Sequence, residues 1–446
     1  MIFLQSPRSL SVWRQLSLAG LLAAMIATHA VPAVAQPAAM TLEQAMALAE
    51  ANNPTLQSAQ SQLAAAEAEH KEARSLLWNN PQLNVEARRR SLSRPDAGHV
   101  MRSDTGFGIS QAFEVGGQPT ARRKATQNAL EATRQTIEQT RRDVRQQAAK
   151  HFIEILNLQT RIAVEQTGVD LLRQAAQVVG KRVKAGEDTR LDGNLALVEA
   201  ERAANQLAQS ADELTQARAA LATTLQLPPA ALPEVMGSIS ATGVPYTLDE
   251  LLSAADIQPK LQATVAREQA AASRLELERA ARYPDLTVGL SHSPEKGLDG
   301  TDRVTTLSVS VPLPLFKNNG AAIARAQAEL DQSRIELQAA RRDGEASVRV
   351  LWQRLAQLRE RTKRLEAVVV PSLAENQRLS LAALRAGELN VPQFLLARRQ
   401  ALDAQRELAD ARAQTVLARL ELEAAAGWSA SPSLVTVTPL VTPTTP

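Results

Sequence analysis

Few side chains in this sequence are spaced to do chemistry. Of its five histidines, His29 precedes residue 35, and no two of His70, His99, His151 and His292 share a metal-ligand spacing. With no cysteine in the chain, thiolate metal sites, thiol catalysis and disulfides are excluded. His151 falls on a helical seam and reads as a packed, hydrogen-bonded residue, while His99 and His292 lie toward the outer ends of strands and read as exposed. Glu67 and Glu69 are neighbours on an alanine-rich helix, not an acid and base pair. Arg88, Arg89 and Arg90, like Arg122, Arg123 and Lys124, read as solvated charge, although Arg88 shares the parity of Gln82, Asn84 and Glu86. No glycine-rich phosphate loop and no nucleophile with a partner histidine can be assembled. These residues specify neither an enzyme nor a metal site, and no cofactor is expected.

The elements around them carry more information. Arg8 and Arg14 precede an apolar run from Leu16 to Ala27 that ends in Ala33-Val34-Ala35, so residues 1–35 read as a secretory signal with an A-x-A cleavage site. That run is too short for a membrane-spanning helix, and no later segment reaches the roughly 20 apolar residues required. A membrane-embedded mature chain must therefore use strands. Lys and Arg number 50 against 47 Asp and Glu, and removal of the signal takes two of the basic residues, so the charge gives no reason to expect a nucleic-acid partner. Aromatics make up 3% of the chain, and the dominance of Ala, Leu, Gln, Glu and Arg favours long helices with thin seams.

The chain is one unit written twice. Thr41-Leu42-Glu43 through Asn53-Pro54 recurs as Thr247-Leu248-Asp249 through Gln258-Pro259, and Asn80-Pro81-Gln82-Leu83 recurs as Tyr283-Pro284-Asp285-Leu286. Ala185-Gly186-Glu187 recurs without gaps as Ala386-Gly387-Glu388. The expected organisation is a first repeat over 36–226, a Pro-rich linker over 227–246, a second repeat over 247–427 and a Pro/Thr-rich tail over 428–446. A heptad ladder through Leu130, Ile137, Val144, His151, Leu158, Glu165, Leu172 and Val179 marks a coiled-coil seam. The second unit repeats it through Ile323, Leu330, Leu337, Leu351, Leu358, Leu365 and Leu379, with Pro371 expected to kink the helix. Each long helix should run roughly 100 Å at 1.5 Å per residue. Shorter helices are expected over about 43–77, 190–225, 249–281 and 391–426, so two laid end to end match one long helix in a layered cylinder. Gly186 and Gly387 end the long helices as left-handed caps.

Between the short and long helices the period drops to two, over 82–90 and 105–113 and again over 285–293 and 303–311. Leu83, Val85, Phe107, Ile109, Leu286, Val288, Leu290, Leu307, Val309 and Val311 form one face, expected to meet lipid, and polar or small residues form the other. Four strands cannot close a barrel, and open edges are not tolerated in lipid, so several chains must combine. Trp78, Phe113, Tyr283 and Phe316 all fall at junctions of strand and helix, where an interfacial aromatic belt would sit.

This duplicated arrangement, with an A-G-E turn closing each long helix, resembles the TolC outer-membrane efflux family over Thr41 to Gly427. Val311-Pro312-Leu313-Pro314-Leu315-Phe316, followed by Lys317-Asn318-Asn319-Gly320, is similar to its CzcC-like subgroup, which is associated with cobalt, zinc and cadmium efflux. The resemblance implies a mainly α fold with a small β part, assembled as a homotrimer with a 12-stranded barrel in the outer membrane of a Gram-negative bacterium and a periplasmic helical tunnel. It implies partners in a periplasmic adaptor and an inner-membrane transporter of the RND type. The tips Ala185, Gly186, Glu187, Ala386, Gly387 and Glu388 would meet the adaptor. An acid six residues after the first tip glycine helps close the aperture in the family; here it is Asp192, with Gln393 at the second-repeat equivalent and Leu389 where TolC has a basic partner. Readings that compete with metal efflux are a drug-efflux or type I protein-secretion duct of the same fold, and a periplasmic coiled-coil scaffold without a pore. The amphipathic hairpins argue against the scaffold.

Overall fold

The computed structural model describes residues 39–94, 98–239, 245–296, 300–386, 388–428 and 435–436. The expected signal segment, Gly387 and most of the tail lie outside them. The first repeat comprises α1 (Leu42–Asn52), α2 (Pro54–Ala73), β1 (Gln82–Arg94), β2 (Gly98–Phe113), α3 (Gln118–Ala185) and α4 (Arg190–Leu225). A short strand, β3 (Ser238–Ile239), precedes the second repeat: α5 (Leu248–Ala255), α6 (Pro259–Ala280), β4 (Leu286–Lys296), β5 (Thr301–Ser310), α7 (Gly320–Arg364), α8 (Val370–Ala386) and α9 (Val391–Ala425). Finally β6 (Val435–Thr436) returns to pair with β3.

Local chemistry fixes the helix ends. Thr41 and Thr247 each cap their helix with a reciprocal capping box, closed by Gln44 and Glu250. The helices expected over 43–77 and 249–281 are each broken in two, because proline lacks the donor that a continuous helix needs. Pro54 and Pro259 instead become first helical residues, and the Asn53 side chain accepts from Thr55 N–H at 2.9 Å.

The long helix α3 has 68 residues, about 100 Å of helix. Its seam is as the heptads require: Leu130, Ile137, Val144, Leu158, Glu165, Leu172 and Val179 are all buried, and α3 packs along α2, α4, α6 and α9. In the second unit the interruption before Pro371 is a π turn over Leu365–Val369, in which Val370 N–H donates to Leu365 C=O. The extra residue rotates everything beyond it by about one helical step of 100°. Leu379, assigned to the seam by its heptad, is 50% exposed for this reason, and Ser380 and Leu384 are buried in its place.

The two hairpins form one sheet in the order β1-β2-β4-β5, with β1 and β5 at its edges. Backbone pairing carries the strands beyond the expected ends, to Arg94 and Gly98 in one hairpin and to Lys296 and Thr301 in the other. Val311 lies one residue past β5 and is not part of the strand.

Candidate channel surface and tips

Register decides which side chains share a face. Leu83 pairs with Ile109, Ile109 with Leu290 and Leu290 with Leu307, an unbroken apolar row across all four strands. The rows on either side each admit polar members: Gln111, Val288 and Val309 toward the helices, and Val85, Phe107, His292 and Thr305 toward the hairpin turns. His292 Nδ1 lies 3.0 Å from Thr305 Oγ1, and Gln111 Nε2 donates to Asn79 C=O at 2.7 Å, while Gln111 Oε1 is buried without a partner.

The opposite face is lined by small residues because the sheet curls tightly toward it. A Cβ at Gly108 would stand 2.9 Å from Ser291 Cβ, one at Gly106 the same distance from Ser293 Cβ, and one at Gly289 only 2.6 Å from Ser308 Oγ. Charge gathers on that face near the turns. Arg88 reaches Glu86 at 3.1 Å and Glu295 at 3.7 Å, while Arg90 reaches Asp104 at 3.2 Å and Glu295 at 3.7 Å. Asp104 also accepts from Lys296 N–H at 3.0 Å. The arginine run expected to be plain solvated charge is therefore half structural, since Arg88 and Arg90 tie β1 to β2 and β4. His99 is exposed, as its position implied.

At the junction of strand and helix, the guanidinium of Arg122 lies 3.8 Å from the centroid of the Trp78 ring and grips the Glu114 carboxylate. Tyr283 C=O accepts from Gln118 Nε2 at 2.9 Å. Trp78, Phe113, Tyr283 and Phe316 are exposed by 46%, 39%, 60% and 97%, a belt of aromatics left bare by the single protomer. The three bases of the 122–124 run again divide, with Lys124 bonded to Glu276 at 2.8 Å.

At the far end of α3, Gly186 has φ +79°. Its N–H donates to Val183 C=O at 3.1 Å and Glu187 N–H donates to Arg182 C=O at 2.9 Å, the paired closure of a Schellman cap. At the second tip Glu388 N–H donates to Ala383 C=O at 2.9 Å. Sequence reading passed over Arg182, which binds Asp188 at 3.0 Å and donates to Leu384 C=O at 3.3 Å, so it links the two tips. Asp192 Oδ2 accepts from Thr189 Oγ1 at 2.6 Å and from Thr189 N–H at 3.2 Å. Gln393, in the matching place on α9, gives its N–H to Asn390 Oδ1 at 3.0 Å. Both gating candidates thus occupy the third position of a capped helix, and Leu389 packs into the apolar cluster beneath them. His151 is half-buried, its Nδ1 3.2 Å from Glu154. Among the described residues no group of three or more His, Cys, Asp or Glu is placed to hold a metal ion.

The family model described as outer membrane efflux protein matches residues 45–225 and again 252–428. The chain belongs to that family. The first matched segment spans α1 to α4 and the second α5 to α9. The chain is 28% identical over 392 residues to the cobalt-zinc-cadmium resistance protein CzcC of Cupriavidus metallidurans, covering 86% of this chain and 88% of that one. It is 27% identical over 343 residues to the nickel-cobalt-cadmium resistance protein NccC of Alcaligenes xylosoxydans xylosoxydans, covering 73% of each. The outer membrane protein VceC of Vibrio cholerae shares its fold, with a TM-score of 0.71 at 16% identity over 87% of this chain and 97% of that one. The resemblance of the chain to the CzcC-like subgroup is borne out by the first two relatives. The family places the chain in the Gram-negative outer membrane as an efflux channel. Such channels work in tripartite pumps with a periplasmic adaptor and an inner-membrane transporter.

Proposed function

We propose that three copies of this chain close a 12-stranded barrel and that the resulting duct passively conducts divalent heavy-metal cations to the cell exterior. The carrying observation is the four-stranded sheet with two unpaired edges and one apolar face. Edges cannot be left open in lipid, and three four-stranded sheets make a closed barrel of a size seen in outer membranes. Leu83, Val85, Phe107, Ile109, Leu286, Val288, Leu290, Leu307 and Val309 face lipid on this reading, Val311 caps the band just beyond β5, and the four junction aromatics sit at the periplasmic interface. The tips Ala185 to Glu187 and Ala386 to Glu388 meet the adaptor, and Asp192 and Gln393 surround the inner aperture. An RND-type transporter supplies the energy, and the chain itself carries out no reaction.

Metal as the cargo is supported by the two resistance relatives, and the lack of a clustered ligand set among the described residues suits a duct, since a tight site would slow release. A strain lacking the gene should grow poorly on zinc, cobalt or cadmium and normally on bulky drugs. Sensitivity confined to detergents and antibiotics would remove the metal assignment and leave the channel.

A further inference from the structure

The buried stripe of α9 near the tips runs Val391, Phe394, Leu395, Arg398, Ala401 and Leu402. Its fourth member is a cation where the helical register calls for an apolar side chain. Arg398 is only 7% exposed, and its guanidinium lies 5.3 Å from the centroid of the Phe394 ring. No carboxylate among the described residues pairs with it, whereas Arg406, two turns along the same helix, reaches the buried Glu165 at 2.9 Å. Burial pulls the pKa of Arg398 below its ordinary value, yet an arginine remains charged at neutral pH. A buried, unpaired cation is costly unless something else supplies the anion.

The surroundings of Arg398 indicate what that is. It lines a cavity of about 500 Å³ whose walls are the last turns of α3 and α8 and whose floor is α9. Leu171, Ala175 and Val178 form one apolar ridge, spaced as one face of α3, and Leu381 and Leu384 form the other. A trough between two such ridges takes a third helix. The remaining charged groups in it are Arg182 and Glu187, and Arg182 is already engaged by Asp188 at 3.0 Å and Glu187 at 3.6 Å. The trough therefore holds one uncompensated positive charge at its base.

We propose that Arg398 recognises an aspartate or glutamate on a helix of the periplasmic adaptor that lies in this trough. The inference rests on the reading of the tips as the adaptor surface and adds the chemistry of recognition. An apolar stripe on the incoming helix covers Leu171, Ala175, Val178, Leu381 and Leu384, and its carboxylate meets a guanidinium that burial beside Phe394 has already stripped of most of its water. Charge-assisted pairing in such a setting is strong and directional.

The test uses assembled full-length trimers and the purified adaptor encoded with them. Adaptor affinity is measured at low and high salt for the wild type, Arg398→Met and Arg398→Lys. Wild-type affinity should fall with salt. Arg398→Met should bind about tenfold or more weakly at low salt and lose much of the salt dependence. Arg398→Lys should fall between the two, and all three trimers should be equally heat-resistant. Wild-type affinity and salt dependence in Arg398→Met would overturn the proposal. Should that variant fail to assemble, a photo-cross-linking residue at Ala175 in otherwise wild-type trimers gives a second reading. The adaptor peptide captured there should carry an acidic residue within one helical turn of the cross-link, and an acid-free peptide overturns the proposal. No adaptor cross-link from either Ala175 or Glu187 would instead overturn the tip assignment on which it rests.

Discussion

Leu290 sits in the unbroken apolar row of the sheet, between Ile109 and Leu307, and is 51% exposed in the protomer. If that row faces lipid as proposed, Leu290→Arg places a charge where arginine near the bilayer midplane costs about 2–4 kcal/mol. With the substitution in all three copies, the trimer should lose about 6–12 kcal/mol, since the sites are separate and the costs add. Thr306, the register partner of Ser291, lies on the opposite, polar face. On the same reading Thr306→Arg would meet water inside the barrel and should cost less than about 1 kcal/mol per copy. Urea unfolding of trimers folded into lipid vesicles measures both. A large drop in midpoint for Leu290→Arg beside a near-normal Thr306→Arg is expected. Equal losses would refute the face assignment, because a one-residue change of parity exchanges every side chain between lipid and lumen.

Gly186→Val puts a β-branched residue at φ +79°, a strain of about 1–3 kcal/mol that should distort the tip. Adaptor cross-linking and metal resistance should fall while heat-resistant trimers still reach the outer membrane; normal cross-linking would separate the tip from docking. Asp192→Ala should raise single-channel conductance in planar bilayers and cost about 0.3–1 kcal/mol through the lost carboxylate in the first turn of α4. Unchanged conductance would leave Asp192 as a capping-box partner of Thr189 alone. The Tyr246 hydroxyl is pushed above its ordinary pKa, chiefly by burial and then by Glu423, whose carboxylate it reaches at 3.2 Å. The folded state then holds its proton where the unfolded chain releases it, so stability should decline as pH rises above about 10. Tyr246→Phe should flatten that decline.

The sequence made periodicity legible and hid what breaks it. The α3 seam and the two strand faces follow from spacing alone, because a heptad or an alternation repeats the same contact many times. Four features escaped. The breaks after α1 and α5 arise because Pro54 and Pro259 are placed as first helical residues behind the N-caps Asn53 and Gln258, a choice that the flanking apolar pattern does not encode. The strands outrun their alternation because a backbone ladder needs only a partner strand, even through Arg88 to Arg94. The π turn at Leu365 shifts the phase by one residue, so the heptad assignment of Leu379 fails although Pro371 correctly marked the interruption. Arg398 left a trace that went unread, a charged residue at an apolar position of a seam. Only the packed structure shows that no acid among the described residues answers it.

The central claim, that this channel is the exit for divalent cations, is tested most directly where its absence would leave the cargo. Cells with and without the gene are loaded with zinc, cobalt or cadmium, the periplasm is released, and its metal content is measured by elemental mass spectrometry. Metal should accumulate in cells lacking the gene and return to wild-type levels on complementation with the intact gene but not with Gly186→Val. Equal periplasmic metal in both strains, with the transporter and adaptor present, would contradict that claim.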